Sequence, residues 1–126
     1  MARQTGPADR HALRSLLGAE RERTLRQIAA LEREFNSIVE AAADVATDDE
    51  HDPEGTTIAF ERAQVAALAD HARVRLADLE QALERLDAGV YGTCESCGRP
   101  IPPERLAARP TARTCVGCSA AGRVRR

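Results

Sequence analysis

Four cysteines carry the strongest chemical signal in this chain: Cys94-Glu95-Ser96-Cys97 and Cys115-Val116-Gly117-Cys118, with 17 residues between Cys97 and Cys115. A C-x-x-C loop puts two thiolates on one side of a tight turn, close to adjacent corners of a tetrahedron. Two such loops at this separation complete a four-sulfur zinc site, and Gly98 lets the backbone turn back beneath the metal. Four protein ligands leave no position for water, so the one expected zinc ion is structural rather than hydrolytic. A pair of disulfides is disfavoured in a reducing compartment, and a thioredoxin-type redox pair needs a single C-x-x-C in a βαβ setting. Zinc thiolates are oxidisable, which leaves redox release of the ion open. Without metal the minidomain is expected to be unfolded.

No other constellation supports catalysis. There is no nucleophile with a paired base, no phosphate loop and no open metal position, so the protein is expected not to be an enzyme. His11, His51 and His71 are scattered along the chain, and only His51 sits in a suggestive setting, among carboxylates.

The elements that must position the cysteines follow from where Pro and Gly fall. Between Pro7 and Pro53 the one breaker is Gly18, and between Gly55 and Gly89 there is none, leaving two long stretches free to be helical. In the first, Leu17, Thr24, Ile28, Leu31, Phe35, Ile38, Ala42 and Val45 settle into alternating steps of three and four, with Arg21 and Thr24 as weak seam positions. In the second, Ile58, Val65, Leu68, Ala72, Leu76, Leu79, Leu83, Leu86 and Val90 are spaced likewise, with one four-four step at Ala72 to Leu76 that resembles a stutter.

Two such helices joined by a polar turn can bury each other's stripes as an antiparallel hairpin of roughly 50 Å at 1.5 Å per residue. Asp52-Pro53 supplies an N-cap and a first-position proline for the second helix. The expected fold is therefore all-α dominated: an N-terminal tail at 1–12, an antiparallel coiled-coil hairpin at 13–90 with its acidic tip at 48–55, a four-cysteine zinc finger at 91–118, and a basic C-terminal tail or short helix at 119–126. A homodimeric coiled coil is the alternative that periodicity alone leaves open.

Composition narrows the field. The chain has 126 residues with 43% hydrophobic and only 2% aromatic content, which disfavours an all-β core. All 18 basic residues are arginine, and the net charge is -2. That sum hides a strong asymmetry. From Glu34 to Glu61 there are nine carboxylates and no arginine, whereas Ser96 to Arg126 carries seven arginines against Glu104 alone. No apolar run reaches the roughly 20 residues that cross a bilayer, and Met1 to Arg10 lacks the apolar stretch of a secretion signal. The expectation is a cytoplasmic protein with no membrane partner.

The run Gly89-Val90-Tyr91-Gly92-Thr93-Cys94-Glu95-Ser96-Cys97-Gly98-Arg99-Pro100-Ile101, then Glu104-Arg105-Leu106-Ala107-Ala108-Arg109-Pro110 and Thr114-Cys115-Val116-Gly117-Cys118, resembles the zinc-finger signature of the DksA/TraR family of bacterial transcription regulators. The long helical stretches before it fit that family's coiled coil. The resemblance implies a protein that binds RNA polymerase rather than DNA. Its hairpin would enter the secondary channel, bringing acidic tip residues (Asp48, Asp49, Glu50, Asp52 and Glu54) near the catalytic magnesium, and ppGpp would be a co-effector at the polymerase interface. Where the family tip has Asp, a second Asp three residues on, and Ala two further, this chain has Asp52, Gly55 and Thr57. Arg105 and Arg109, inside the matched motif, are candidates for contacts to polymerase or to phosphate.

Two other readings stay open. The arginine-rich finger and its tail suit a zinc protein that binds nucleic acid. Against this reading, no recognition helix or aromatic stacking platform is evident, and the acidic tip would repel a phosphate backbone, so direct DNA binding is disfavoured. The third reading is a coiled-coil adaptor whose hairpin meets another helix.

Overall fold

The computed structural model describes residues 7–44 and 53–121. Four helices follow one another: α1 (Pro7–Asp44), α2 (Pro53–Ala88), α3 (Pro103–Ala108) and α4 (Val116–Ala121). The first three each begin on proline, whose missing N–H costs nothing at a helix start and whose ring presets the helical φ. This moves the start of α1 to Pro7, earlier than the hairpin boundary expected at residue 13. α4 likewise carries helix to Ala121, past the expected finger boundary at 118.

α2 stops through a Schellman motif. Gly89 adopts a left-handed φ of 81°, its N–H bonds the Leu86 carbonyl at 3.2 Å, and the Val90 N–H reaches back to the Arg85 carbonyl at 3.0 Å.

The chain divides into two compact units, to each of which α1 and α2 contribute: Met1–Arg21 with Ala77–Arg126, and Glu22–Leu76. The first has a core of Leu17, Leu79, Ala82 and Leu86, against which Leu13, Leu83 and Tyr91 pack. Here the helices run antiparallel, because Arg14 pairs with Asp87 and Arg21 with Glu80. The second unit buries Ile28, Leu31, Val65, Ala69 and Ala72, with Phe35, Ile38 and Leu76 packed against them. At its edge Arg73 bonds Glu32 of α1 at 2.9 Å and Asp70 at 3.0 Å.

The α1 seam follows the expected positions from Leu17 to Ile38, with Thr24 buried among them. The α2 seam does not. Leu68 is 45% exposed, and Ala69 takes its place in the core. With Ala69 in the stripe, Val65, Ala69, Ala72, Leu76, Leu79, Leu83 and Leu86 alternate strictly by four and three, so the expected stutter is absent. Alanines at Ala69 and Ala72 fill a seam whose facing residues, Ile28 and Leu31, are large, so small and large side chains alternate across the pair. Val90 is likewise exposed rather than a seam residue.

No helix among the described residues is long and apolar enough to cross a membrane.

Candidate metal centre

The finger is built from short backbone links rather than from regular strands. The Cys94 N–H bonds the Arg99 carbonyl at 2.8 Å and the Gly98 N–H returns to the Cys94 carbonyl at 2.9 Å, closing the first knuckle. Gly98 holds a left-handed φ of 77°, the conformation that L-residues resist and the turn requires. An isolated antiparallel bridge pairs Thr93 with Pro100, and the Ile101 N–H bonds the Gly92 carbonyl at 2.7 Å. Ile101, Cys94 and Ala112 are the buried residues of the finger.

The second knuckle opens α4: Cys115 directly precedes the helix, Cys118 lies in its first turn, and the Ser119 N–H bonds the Cys115 carbonyl at 2.9 Å. The knuckles are joined by the Glu95 N–H to the Arg113 carbonyl at 2.8 Å. α3 is tied to the second knuckle by Arg105, whose Nε donates to the Thr114 carbonyl at 2.8 Å.

These links bring the four sulfurs of Cys94, Cys97, Cys115 and Cys118 within 4.8 Å of one another. A tetrahedral ion with Zn–S bonds of about 2.3 Å needs sulfurs about 3.8 Å apart, and Cys97 and Cys115 lie 3.9 Å apart. The donor set thus fits a single four-coordinate soft ion. Cys94 is buried, Cys115 and Cys118 are half-buried and Cys97 is exposed.

The electrostatics of the cluster suit thiolate ligation. Burial pushes the Cys94 thiol up, but the backbone N–H groups of Cys115, Cys97 and Ser96 outweigh it and bring the thiol down to about 6. Cys115 is lowered chiefly by the Cys118 N–H and then by its thiol. Cys118 is pushed up to about 12, first by its hydrogen bonds to Cys115 and Cys94 and then by burial. Crowding four sulfurs together favours a divalent cation, whose charge lets all four ligate as thiolates.

Two residues outside the cysteine spacing complete the site. Arg85, in the last turn of α2, donates to the carbonyls of Thr93 and Ala112. The Tyr91 hydroxyl donates to the Pro110 carbonyl at 2.8 Å. Neither contact has a sequence signature, because the acceptors are main-chain carbonyls; the basic residue in the last turn of a helix was the only available cue for Arg85.

The other expected site residues fare unequally. Arg105 is half-buried and braces the finger internally, whereas Arg109 is exposed at the end of α3. Asp48, Asp49, Glu50 and Asp52 lie outside the described residues, as does the side chain of Glu54. Gly55 and Thr57 lie in the opening turns of α2. His71 is exposed.

Residues 89–121 match the prokaryotic dksA/traR C4-type zinc finger, and with the four-sulfur geometry this makes the resident ion a single zinc. The chain is similar to the uncharacterised YteA of Bacillus subtilis, 44% identical over 66 residues, which cover 52% of this chain and 28% of that one. It is also similar to a protein of Haemophilus influenzae named RNA polymerase-binding transcription factor DksA, 38% identical over 56 residues, covering 44% of this chain and 39% of that one. The chain spans less than half the length of these curated relatives. Among solved structures, the transcription factor DksA2 from Pseudomonas aeruginosa superposes with a TM-score of 0.78 at 26% identity, covering 96% of this chain and 88% of that one.

Proposed function

We propose that this chain is a transcription regulator of the DksA/TraR zinc-finger family that binds RNA polymerase directly, a reading supported by the match of residues 89–121 to that family's zinc finger. In this reading the helical hairpin enters the secondary channel and presents acidic side chains near the catalytic magnesium. Initiation is then modulated by changing the lifetime of the open complex rather than by any bond-making step.

The observation that carries the reading is the combination of a family finger with a DksA2-like fold over 96% of the chain. Charge distribution supports it: the segment Glu34 to Glu61, with nine carboxylates and no arginine, repels nucleic-acid phosphates and suits a site beside a bound cation. Asp48, Asp49, Glu50, Asp52 and Glu54 are the tip groups assigned to that role, with Gly55 and Thr57 where the family tip has Asp and Ala. Arg109 is assigned to the polymerase surface and Arg105 to bracing the finger, with ppGpp as a co-effector at the interface. The site of action is the cytoplasm.

The test is competition of the zinc-loaded protein with a known secondary-channel factor for the cognate RNA polymerase. A variant with all five tip carboxylates neutralised is scored on promoter output in parallel. Competition together with a tip-dependent change in transcription is the expected result. Absence of competition overturns the channel reading. Loss of binding with rising salt that depends on the C-terminal arginines would instead favour phosphate binding.

A further inference from the structure

The side chain that spans the zinc finger most completely comes from outside it. Arg85 belongs to the last turn of α2, and its side chain is only 11% exposed. Its Nη2 donates to the Thr93 carbonyl at 3.0 Å and its Nη1 to the Ala112 carbonyl at 3.4 Å. Its Nε lies 3.7 Å from Glu95 Oε2.

Thr93 and Glu95 are the two chain neighbours of Cys94, and Ala112 begins the short run to Cys115. One guanidinium therefore bridges the approach to the first cysteine pair and the approach to the second. The guanidinium is a planar fork with fixed donor directions, so the separation of the carbonyls it joins is set by covalent geometry rather than by a flexible stem. Four thiolates around a divalent ion also leave net negative charge, which a permanently charged and largely desolvated side chain nearby offsets.

We propose that Arg85 is a positioning residue for the metal site: by joining the chain at Cys94 to the chain before Cys115, it sets how tightly the protein holds zinc. The cysteines supply the bonds, and α2 supplies the spacing between their two pairs. Partners of this kind behind the ligands typically change metal affinity by about 10–100-fold.

The test is a cobalt(II) titration, read by its thiolate charge-transfer absorption, followed by displacement with zinc. Wild type is compared with Arg85→Met, Arg85→Lys and Arg113→Met. The last is the control, because the Arg113 side chain ties the run before Cys115 to α2 through Gln81 at 2.7 Å without joining it to the chain at Cys94. Arg85→Met is expected to weaken metal binding by about tenfold or more. Arg85→Lys, which keeps the charge but not the fork, should fall between it and wild type, and Arg113→Met should stay within about twofold of wild type. The proposal is overturned if Arg85→Met binds as wild type does, or if Arg113→Met loses as much as Arg85→Met. Circular dichroism of the same samples reports whether the long helices persist. Should Arg85→Met lose them, Arg85→Lys decides, and wild-type affinity in that variant overturns the proposal.

Discussion

Arg21 of α1 and Glu80 of α2 meet across the helix pair, with Nε and Nη2 of the arginine both donating to Oε2 of the glutamate, at 3.1 and 3.0 Å. Seven residues back on α1 and seven on along α2, Arg14 pairs with Asp87 in the same sense. The cross-helix ion pairs thus repeat with the heptad of the seam beside them. A slip of one helix past the other by a turn breaks both pairs as well as the packing of Leu17 against its neighbours.

Register, more than stability, is what such a pair supplies. Both partners of Arg21–Glu80 are more than a third exposed, where water screens the attraction and a pair contributes about 0.2–1 kcal/mol. A double-mutant cycle with Arg21→Ala and Glu80→Ala, read by urea unfolding, is expected to give a coupling within that range. A larger coupling would mean that the pair is more desolvated than its exposure indicates.

The revised seam of α2 makes a sharper contrast. Leu79 is 1% exposed and Leu68 is 45% exposed. Leu79→Ala should cost about 2–4 kcal/mol through lost burial and the cavity left behind, and Leu68→Ala within about 0.5 kcal/mol of zero. Equal costs would restore Leu68 to the core.

Tyr91 offers a pH-dependent test. Burial raises its hydroxyl above the ordinary value of 10.0, against an opposing pull from the Arg85 charge. A raised folded-state value means that the native state holds the proton more tightly than the unfolded chain. The contribution is therefore complete below pH 10 and is lost as pH rises through the folded value. Tyr91→Phe, which leaves the Pro110 carbonyl without its donor, should lower stability by about 1 kcal/mol at neutral pH. The gap between mutant and wild type should close above pH 10. A gap that persists at high pH would assign the effect to packing.

Removing zinc with a chelator should separate the finger from the helix pair. Amide protection at Cys94, Gly98 and Ile101, whose bonds close the first knuckle, is expected to vanish in hydrogen exchange. The helical signal of α1 and α2 should remain, because the clusters around Leu17 and Ile28 contain no cysteine. Collapse of that signal on chelation would show that the helix pair depends on the metal.

The metal cluster was legible from cysteine spacing alone, because ligand chemistry fixes both residue type and interval. The α1 stripe was legible for a similar reason, with Ile28, Leu31, Phe35 and Ile38 standing out against polar neighbours. The α2 stripe departs from the apolar pattern at one point: leucine outranks alanine in apolarity, yet the seam selects Ala69, and Leu68 faces outward. Arg85 leaves only a faint mark in the sequence, a basic residue in the last turn of a helix, because its acceptors are main-chain carbonyls and Ala112 lies 27 residues away.

Arg85 has two attachments of different kinds. Its carbonyl receives the Val90 N–H in the motif that ends α2, while its side chain holds Thr93 and Ala112. Fraying of the helix end therefore pulls on the finger, and loosening of the finger removes the load that keeps the last turn wound. The final turn of α2 and the first knuckle are therefore expected to open together in hydrogen exchange, with the boundary inside the helix rather than at the glycine where it stops.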